Sequence, residues 1–120
     1  MADNYNTAFK DVKGLQIPFV INNSTHVYHQ YTLKVLEGRR DDLMNYLKNN
    51  NTPSMVYYPV PLHKQEVFLK DVVEPVNLVT TELLSSSCIS LPIHTEVETS
   101  FQNFIIKNIL KFFKWKEKIF

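Results

Sequence analysis

The sequence predicts an α+β fold, a small and mainly antiparallel sheet covered by helices. Residues 26–36 alternate, with Val27, His29, Tyr31, Leu33 and Val35 on one side and Tyr28, Gln30, Thr32, Lys34 and Leu36 on the other. A period of two is the signature of a half-buried strand. Residues 39–49 then switch to a helical period before a β-favouring run, Met55-Val56-Tyr57-Tyr58, returns. Towards the end, Val97, Phe101, Ile105, Ile109 and Phe113 recur every four residues, which defines one face of a helix.

In chain order, residues 1–13 carry Tyr5, Phe9 and Val12 in a weak helical pattern, and Gly14 punctuates it. Leu15 to Ile21 is short, apolar and interrupted by Pro18, an extended lead-in to the polar turn Asn22–Thr25. The first strand is expected near 27–36, and Gly38 ends it. The helix 39–49 has Asp41 and Asp42 in its first turn, at the positive end of the dipole. Leu43 and Leu47 form its core stripe, and Asn49-Asn50-Asn51 stops it. A second strand is expected at 54–58. A short helix follows at 64–70 with Val67 and Phe68 inward, then a connector at 71–76 containing Pro75. The next helix, 77–87, has Asn77 as a candidate N-cap and Leu78, Val79, Leu83 and Leu84 as its apolar face. A third strand is expected at 88–92, stopped by Pro92. The last helix is expected over 95–113, opened by a Thr95-x-x-Glu98 capping box.

Composition narrows the function. The chain has 120 residues, one domain at most, with 13 basic and 12 acidic residues. That balance gives no reason to expect nucleic acid as a partner. Cys88 is the single cysteine, so an intramolecular disulfide is impossible and a cytoplasmic setting is expected. It sits in an apolar run and reads as a small core residue. The N-terminus is polar and has no apolar signal segment. Two glycines leave no room for a Gly-rich phosphate loop, and His26 and His29 alone are too few for a metal site.

The stretch from Ser54 to Gln65 is the most informative. Pro59 and Pro61 end the second strand, since neither donates a ladder hydrogen bond. A rigid Pro-x-Pro turn then presents His63, Lys64 and Gln65 at the mouth of a loop, where a scaffold places binding residues. The alternative is a buried strand end followed by an ordinary exposed histidine. His26 and His29 also stand open between local packing and a ligand site.

"VYYPVPLHKQ", with "HVYHQYTLKV" at 26–35 and "CISLPIHTEV" at 88–97, resembles the C-terminal domain of the DegT/DnrJ/EryC/StrS sugar aminotransferases. These are fold-type I enzymes that use pyridoxal 5'-phosphate (PLP), and the resemblance is to the branch that aminates UDP-linked 3-keto sugars for surface polysaccharide. It implies that residues 1–14 are the end of an interdomain helix whose apolar side is left without a partner. Residues 15–113 would be the small domain and 114–120 a basic aromatic tail. It implies substrate contact at Tyr57 and Tyr58, then His63 and Gln65, with His29 and Tyr31 from the "HQY" block. Tyr57 departs from the histidine common at that position, which bears on sugar recognition.

The resemblance also implies what these residues lack. The Schiff-base lysine and the acidic partner of the pyridine nitrogen belong to the large N-terminal domain of the family. No lysine here lies in the family's Ser-x-x-Lys context, and Lys34 and Lys48 read as solvated. No catalytic, cofactor-binding or metal residue is therefore assigned, and PLP is expected in the parent enzyme rather than on this chain alone. The implied partners are a nucleotide-sugar, an N-terminal PLP domain and a second subunit. Two other readings stand beside this one. One is a non-catalytic interaction module. The other is a membrane-surface role for residues 107–118, which hold five lysines against one glutamate; the capped, apolar-striped helix already explains that segment as a packed one.

Overall fold

The computed structural model describes residues 1–70 and 77–116. Among them it has five α-helices and a three-stranded antiparallel sheet of order β1-β2-β3. The helices are α1 (Ala2–Phe9), α2 (Arg40–Asn49), α3 (Glu66–Leu69), α4 (Val79–Ser87) and α5 (Thr99–Lys116). The strands are β1 (Leu15–Gln16), β2 (Tyr31–Val35) and β3 (Cys88–Leu91). The expected connector at 71–76 and, within the tail, residues 117–120 lie outside the described residues.

The centre is β2, with Leu15 opposite Val35 on one side and Tyr31, Leu33 opposite Leu91, Ile89 on the other. Alternation along the strand sends Tyr31, Leu33 and Val35 into the core, all fully buried. It sends Thr32 and Lys34 to the opposite face, beside Ser90 and Cys88. The helices α1, α2 and α5 cover the core face through Tyr5, Phe9, Leu43, Leu47, Ile105, Ile109, Phe112 and Phe113.

Several expectations are corrected. The first strand is shorter than 27–36 because Tyr28 adopts a left-handed φ of 48°, which no strand accommodates. His26 Nδ1 accepts the Tyr28 N–H at 2.9 Å, and the two rings stack at 4.0 Å. Residues 54–58 form no strand. Only Met55 pairs, exchanging backbone hydrogen bonds of 3.0 and 2.8 Å with Ser90, and the chain then leaves the sheet before Pro59. The lead-in at 15–21 does supply a strand, the two-residue β1.

The helix α1 is not left without a partner. Tyr5 and Phe9 are fully buried. Tyr5 donates its hydroxyl to the Pro92 carbonyl at 3.0 Å, Tyr31 donates its own to Asn6 Oδ1 at 2.7 Å, and Asn4 and Gln102 bond at 3.1 Å. The Thr95–Glu98 capping box does not form. The helix α5 begins at Thr99, the Glu98 carbonyl accepts the Gln102 N–H at 3.0 Å, and the Glu98 carboxylate accepts the Ser100 hydroxyl. Its buried stripe is Ile105, Ile109, Phe112 and Phe113, while Phe101 and Phe104 are partly exposed. Asn77 does not cap α4, whose N-cap is Leu78. The apolar faces of α3 and α4 are exposed at Val67, Phe68, Val79, Leu83 and Leu84 rather than turned inward.

The helix α2 ends as its asparagines imply. Asn51 takes a left-handed φ of 51°, and Asn50 Nδ2 donates to the Tyr46 carbonyl at 2.8 Å. Thr52 is buried beneath α5, where Asn108 Nδ2 donates to its Oγ1 at 2.7 Å.

Candidate functional site

The face of the sheet opposite the core opens into a cleft of about 590 Å³. Its floor is Thr32 and Ser90, directly paired across β2 and β3, with their hydroxyls 2.8 Å apart. One wall is the segment 55–65, and the other is the flank of α4 carrying Thr81, Leu84 and Ser85. Pro59 and Pro61 fix φ on the first wall, which turns into a 3-10 turn at Leu62–Lys64, with the Lys64 N–H bonded to the Pro61 carbonyl at 2.9 Å.

Three predicted residues line this cleft: Tyr57, Tyr58 and Gln65. Tyr57 is 52% exposed and Tyr58 76%, so both phenols are available. Gln65 leans back on its own loop, its Nε2 donating to the Val60 carbonyl at 3.5 Å. His29 is not in the cleft. It lines a smaller adjoining groove of about 280 Å³ with Ser54 and His94, and Tyr57 borders both spaces. His63 is turned away, its Nε2 3.0 Å from Glu82 Oε1. Tyr31 is fully buried in the core, so its place in the structure is packing between α1 and the sheet.

Among the described residues the lining carries no Lys, Arg, His, Asp or Glu. What it offers is aromatic faces, hydroxyls and amides. Cys88 stands at its edge, half buried rather than in the core. Burial pushes its thiol up from the ordinary value, so the protonated form, a poor nucleophile, prevails near neutrality. Gln30, Thr32 and Ser90 also line the cleft; they lie within the blocks that carry the resemblance but were not singled out there. The alternation of β2 placed Gln30 and Thr32 together on the face away from Leu33, and that was the available signal.

Glu82 anchors the outer edge of the cleft. Its carboxylate takes Lys64 Nζ at 2.7 Å on one oxygen and His63 Nε2 at 3.0 Å on the other. Hydrogen bonds from Lys64 first and His63 second hold its pKa below the usual carboxylate range. The ionised carboxylate only accepts, so the facing His63 Nε2 carries a proton. Behind α4, buried Arg40 donates from Nη1 to the carbonyls of Ser85 and Cys88 at 3.0 and 3.1 Å. It tethers the C-terminal end of α4, where a cation suits the helix dipole.

A short antiparallel sheet with α1, α2 and α5 on one face and a cleft on the other defines a small α+β unit. The chain matches the DegT/DnrJ/EryC1/StrS aminotransferase family over residues 1–110, and it belongs to that family. It is 33% identical over 97 residues to the "Pleiotropic regulatory protein" of Geobacillus stearothermophilus, covering 81% of this chain and 26% of that protein. It is 31% identical over 100 residues to the UDP-2-acetamido-2-deoxy-3-oxo-D-glucuronate aminotransferase of Pseudomonas aeruginosa PAO1, covering 83% and 26%. A crystal structure of a DegT DnrJ EryC1 StrS aminotransferase from Brucella abortus superposes with a TM-score of 0.79 at 33% identity, over 93% of this chain and 29% of that one. The chain thus spans about a quarter of the length of the curated relatives it matches.

Proposed function

We propose that this chain is the small C-terminal domain of a PLP-dependent, fold-type I nucleotide-sugar aminotransferase and supplies one wall of the sugar-nucleotide site. The uncharged cleft between segment 55–65 and α4 carries this reading. Phenol rings, hydroxyls and amides suit a sugar ring, an acetamido group or a nucleobase, each of which pairs neutral hydrogen bonds with a flat or apolar face. Tyr57, Tyr58 and Gln65 make the reaching contacts, and Thr32 and Ser90 form the floor. His63 acts through the loop rather than by touching substrate, His29 belongs to the rim of the adjoining groove, and Tyr31 supports the sheet beneath.

The family is PLP-dependent, but the cleft residues do not fit that cofactor. None of them can form an imine, pair with a pyridine nitrogen or neutralise a phosphate. In this reading those groups belong to the N-terminal PLP domain of the parent enzyme, which is a cytoplasmic homodimer using glutamate as amino donor in surface-polysaccharide synthesis. Residues 1–14 continue the interdomain helix of that enzyme.

A second reading is a non-catalytic interaction module, which the exposed Val67, Val79 and Leu83 of α3 and α4 favour. The membrane-surface version is less well supported. The apolar stripe of α5 is buried in the core with Lys107, Lys111 and Lys114 outward, and among the described residues no helix is long and apolar enough to cross a membrane.

Mixing the chain with a separately produced PLP domain of the family tests the first reading. Transamination of a UDP-linked 3-keto sugar is expected, and Tyr57→Ala or Tyr58→Ala should raise KM about tenfold with a smaller change in kcat, since each removes a binding contact. No turnover at any mixing ratio would sink it.

A further inference from the structure

We propose that Glu82 is a positioning residue, a clasp that fastens the Pro59–Gln65 wall of the cleft to α4 and so sets the separation of its two sides. Among the described residues, the wall has little else to hold it. After the Met55–Ser90 bridge it leaves the sheet, its prolines donate no backbone hydrogen bond, and the bonds of the 3-10 turn are internal to the loop: Lys64 N–H to Pro61, Gln65 N–H to Leu62. Val60, Leu62, Val67 and Phe68 are exposed, so apolar burial does not fix it either.

Among the described residues, the side-chain link from this loop to another element is the Glu82 carboxylate, which engages two consecutive loop residues with its two oxygens. His63 is the more shielded donor, with 13% of its side chain exposed against 51% for Lys64. That geometry restrains the turn in rotation as well as distance, which a single ion pair cannot do. Glu82 is one turn away from Ser85 and adjacent to Thr81, both in the opposite wall, so loosening the clasp widens the cleft directly. The consequence for ligand binding rests on the reading of the cleft as a sugar-nucleotide wall; the clasp itself does not.

Amide hydrogen exchange of the full chain and of Glu82→Ala tests the clasp without any ligand. The Lys64 and Gln65 amides should exchange about tenfold faster in the variant, one hydrogen-bonded charge being worth roughly that factor in local opening. Leu33 and Ile89 amides should be unchanged, which reports that the fold is intact. Glu82→Gln, which keeps an acceptor and loses the charge, should fall between. Unchanged exchange at residues 64 and 65, or faster exchange everywhere alike, would overturn the proposal. Titration with UDP-N-acetylglucosamine separates the two ideas. Selective loop release with weaker binding supports both. Selective release with unaltered affinity overturns the positioning role. Selective release in a chain whose wild type does not bind supports the clasp and overturns the substrate reading.

Discussion

Of the two glycines, Gly14 is the one at which an added methyl group costs more. Its φ of +89° is left-handed, and a Cβ there would sit 2.5 Å from Arg39 Nη2 and 3.1 Å from Phe113 Cε1. Arg39 cannot retreat without cost, because its guanidinium lies 4.8 Å over the Phe113 ring. Gly38 is also left-handed, at +67°, but has open space around it. Gly14→Ala should therefore destabilise by about 2–3 kcal/mol and Gly38→Ala by about 1 kcal/mol. Urea midpoints at unchanged slope would measure both. Tyr5 offers a second check. Burial pushes its phenol up to about 12, and burial, with Tyr28 and Tyr5 adjacent, raises Tyr31 as well. A raised phenol pKa favours the neutral form in the folded state. Its contribution is complete below the unfolded value of about 10 and is lost as pH rises through about 12. Tyrosinate absorbance should show these two rings ionising only with alkaline unfolding. Ionisation of Tyr5 and Tyr31 in a chain that is still folded would contradict their burial.

At the scale of elements, α4 is the piece on which the cleft depends, and it has little apolar anchorage. Of its residues only Ser87 is buried. Arg40 compensates through its bonds to Ser85 and Cys88. Arg40→Ala leaves those carbonyls short of a donor and should cost about 2 kcal/mol, with exchange rising first in α4 and β3. A uniform loss across α1 and α5 would mean that the tether is not local. The same scale shows what the sequence could convey. The helix α2, the facing of β2 and the position of β3 were legible because each depends on local periodicity and on nearby breakers such as Gly38 and Pro92. The strand at 54–58 was misread because β-favouring residues do not disclose whether a partner strand runs alongside, and here only Met55 meets one. The β2 start was misplaced because nothing local marks Tyr28 as left-handed. In α4 the periodicity identified the apolar face correctly but could not say what covers it. In the site, the prolines marked His63, Lys64 and Gln65, of which only Gln65 lines the cleft, and Tyr57 and Tyr58 were marked by the family resemblance alone, whereas the Thr32–Ser90 floor needs the register of two strands 58 residues apart in sequence.

On the scale of the whole molecule, the two faces of the sheet divide the work. One is sealed by α1, α2 and α5 into a core with aromatic stacking at Tyr5, Phe9 and Tyr31. The other carries polar side chains that face a cleft without charge. None of the described residues that line the cleft is a lysine, so on the proposed reading incubation with PLP and borohydride should leave no single lysine stoichiometrically modified. One lysine taken to completion, read by intact mass and peptide mapping, would show that the cofactor half of the reaction had been wrongly assigned elsewhere.

The most direct measurement is a chemical-shift map of the isotope-labelled chain titrated with UDP-N-acetylglucosamine. The cleft reading predicts perturbations that converge on Thr32, Tyr57, Tyr58, Gln65 and Ser90 from both walls and the floor, and that saturate. Shifts gathered instead around Lys107, Lys111 and Lys114, where a diphosphate would collect by charge alone, would contradict it.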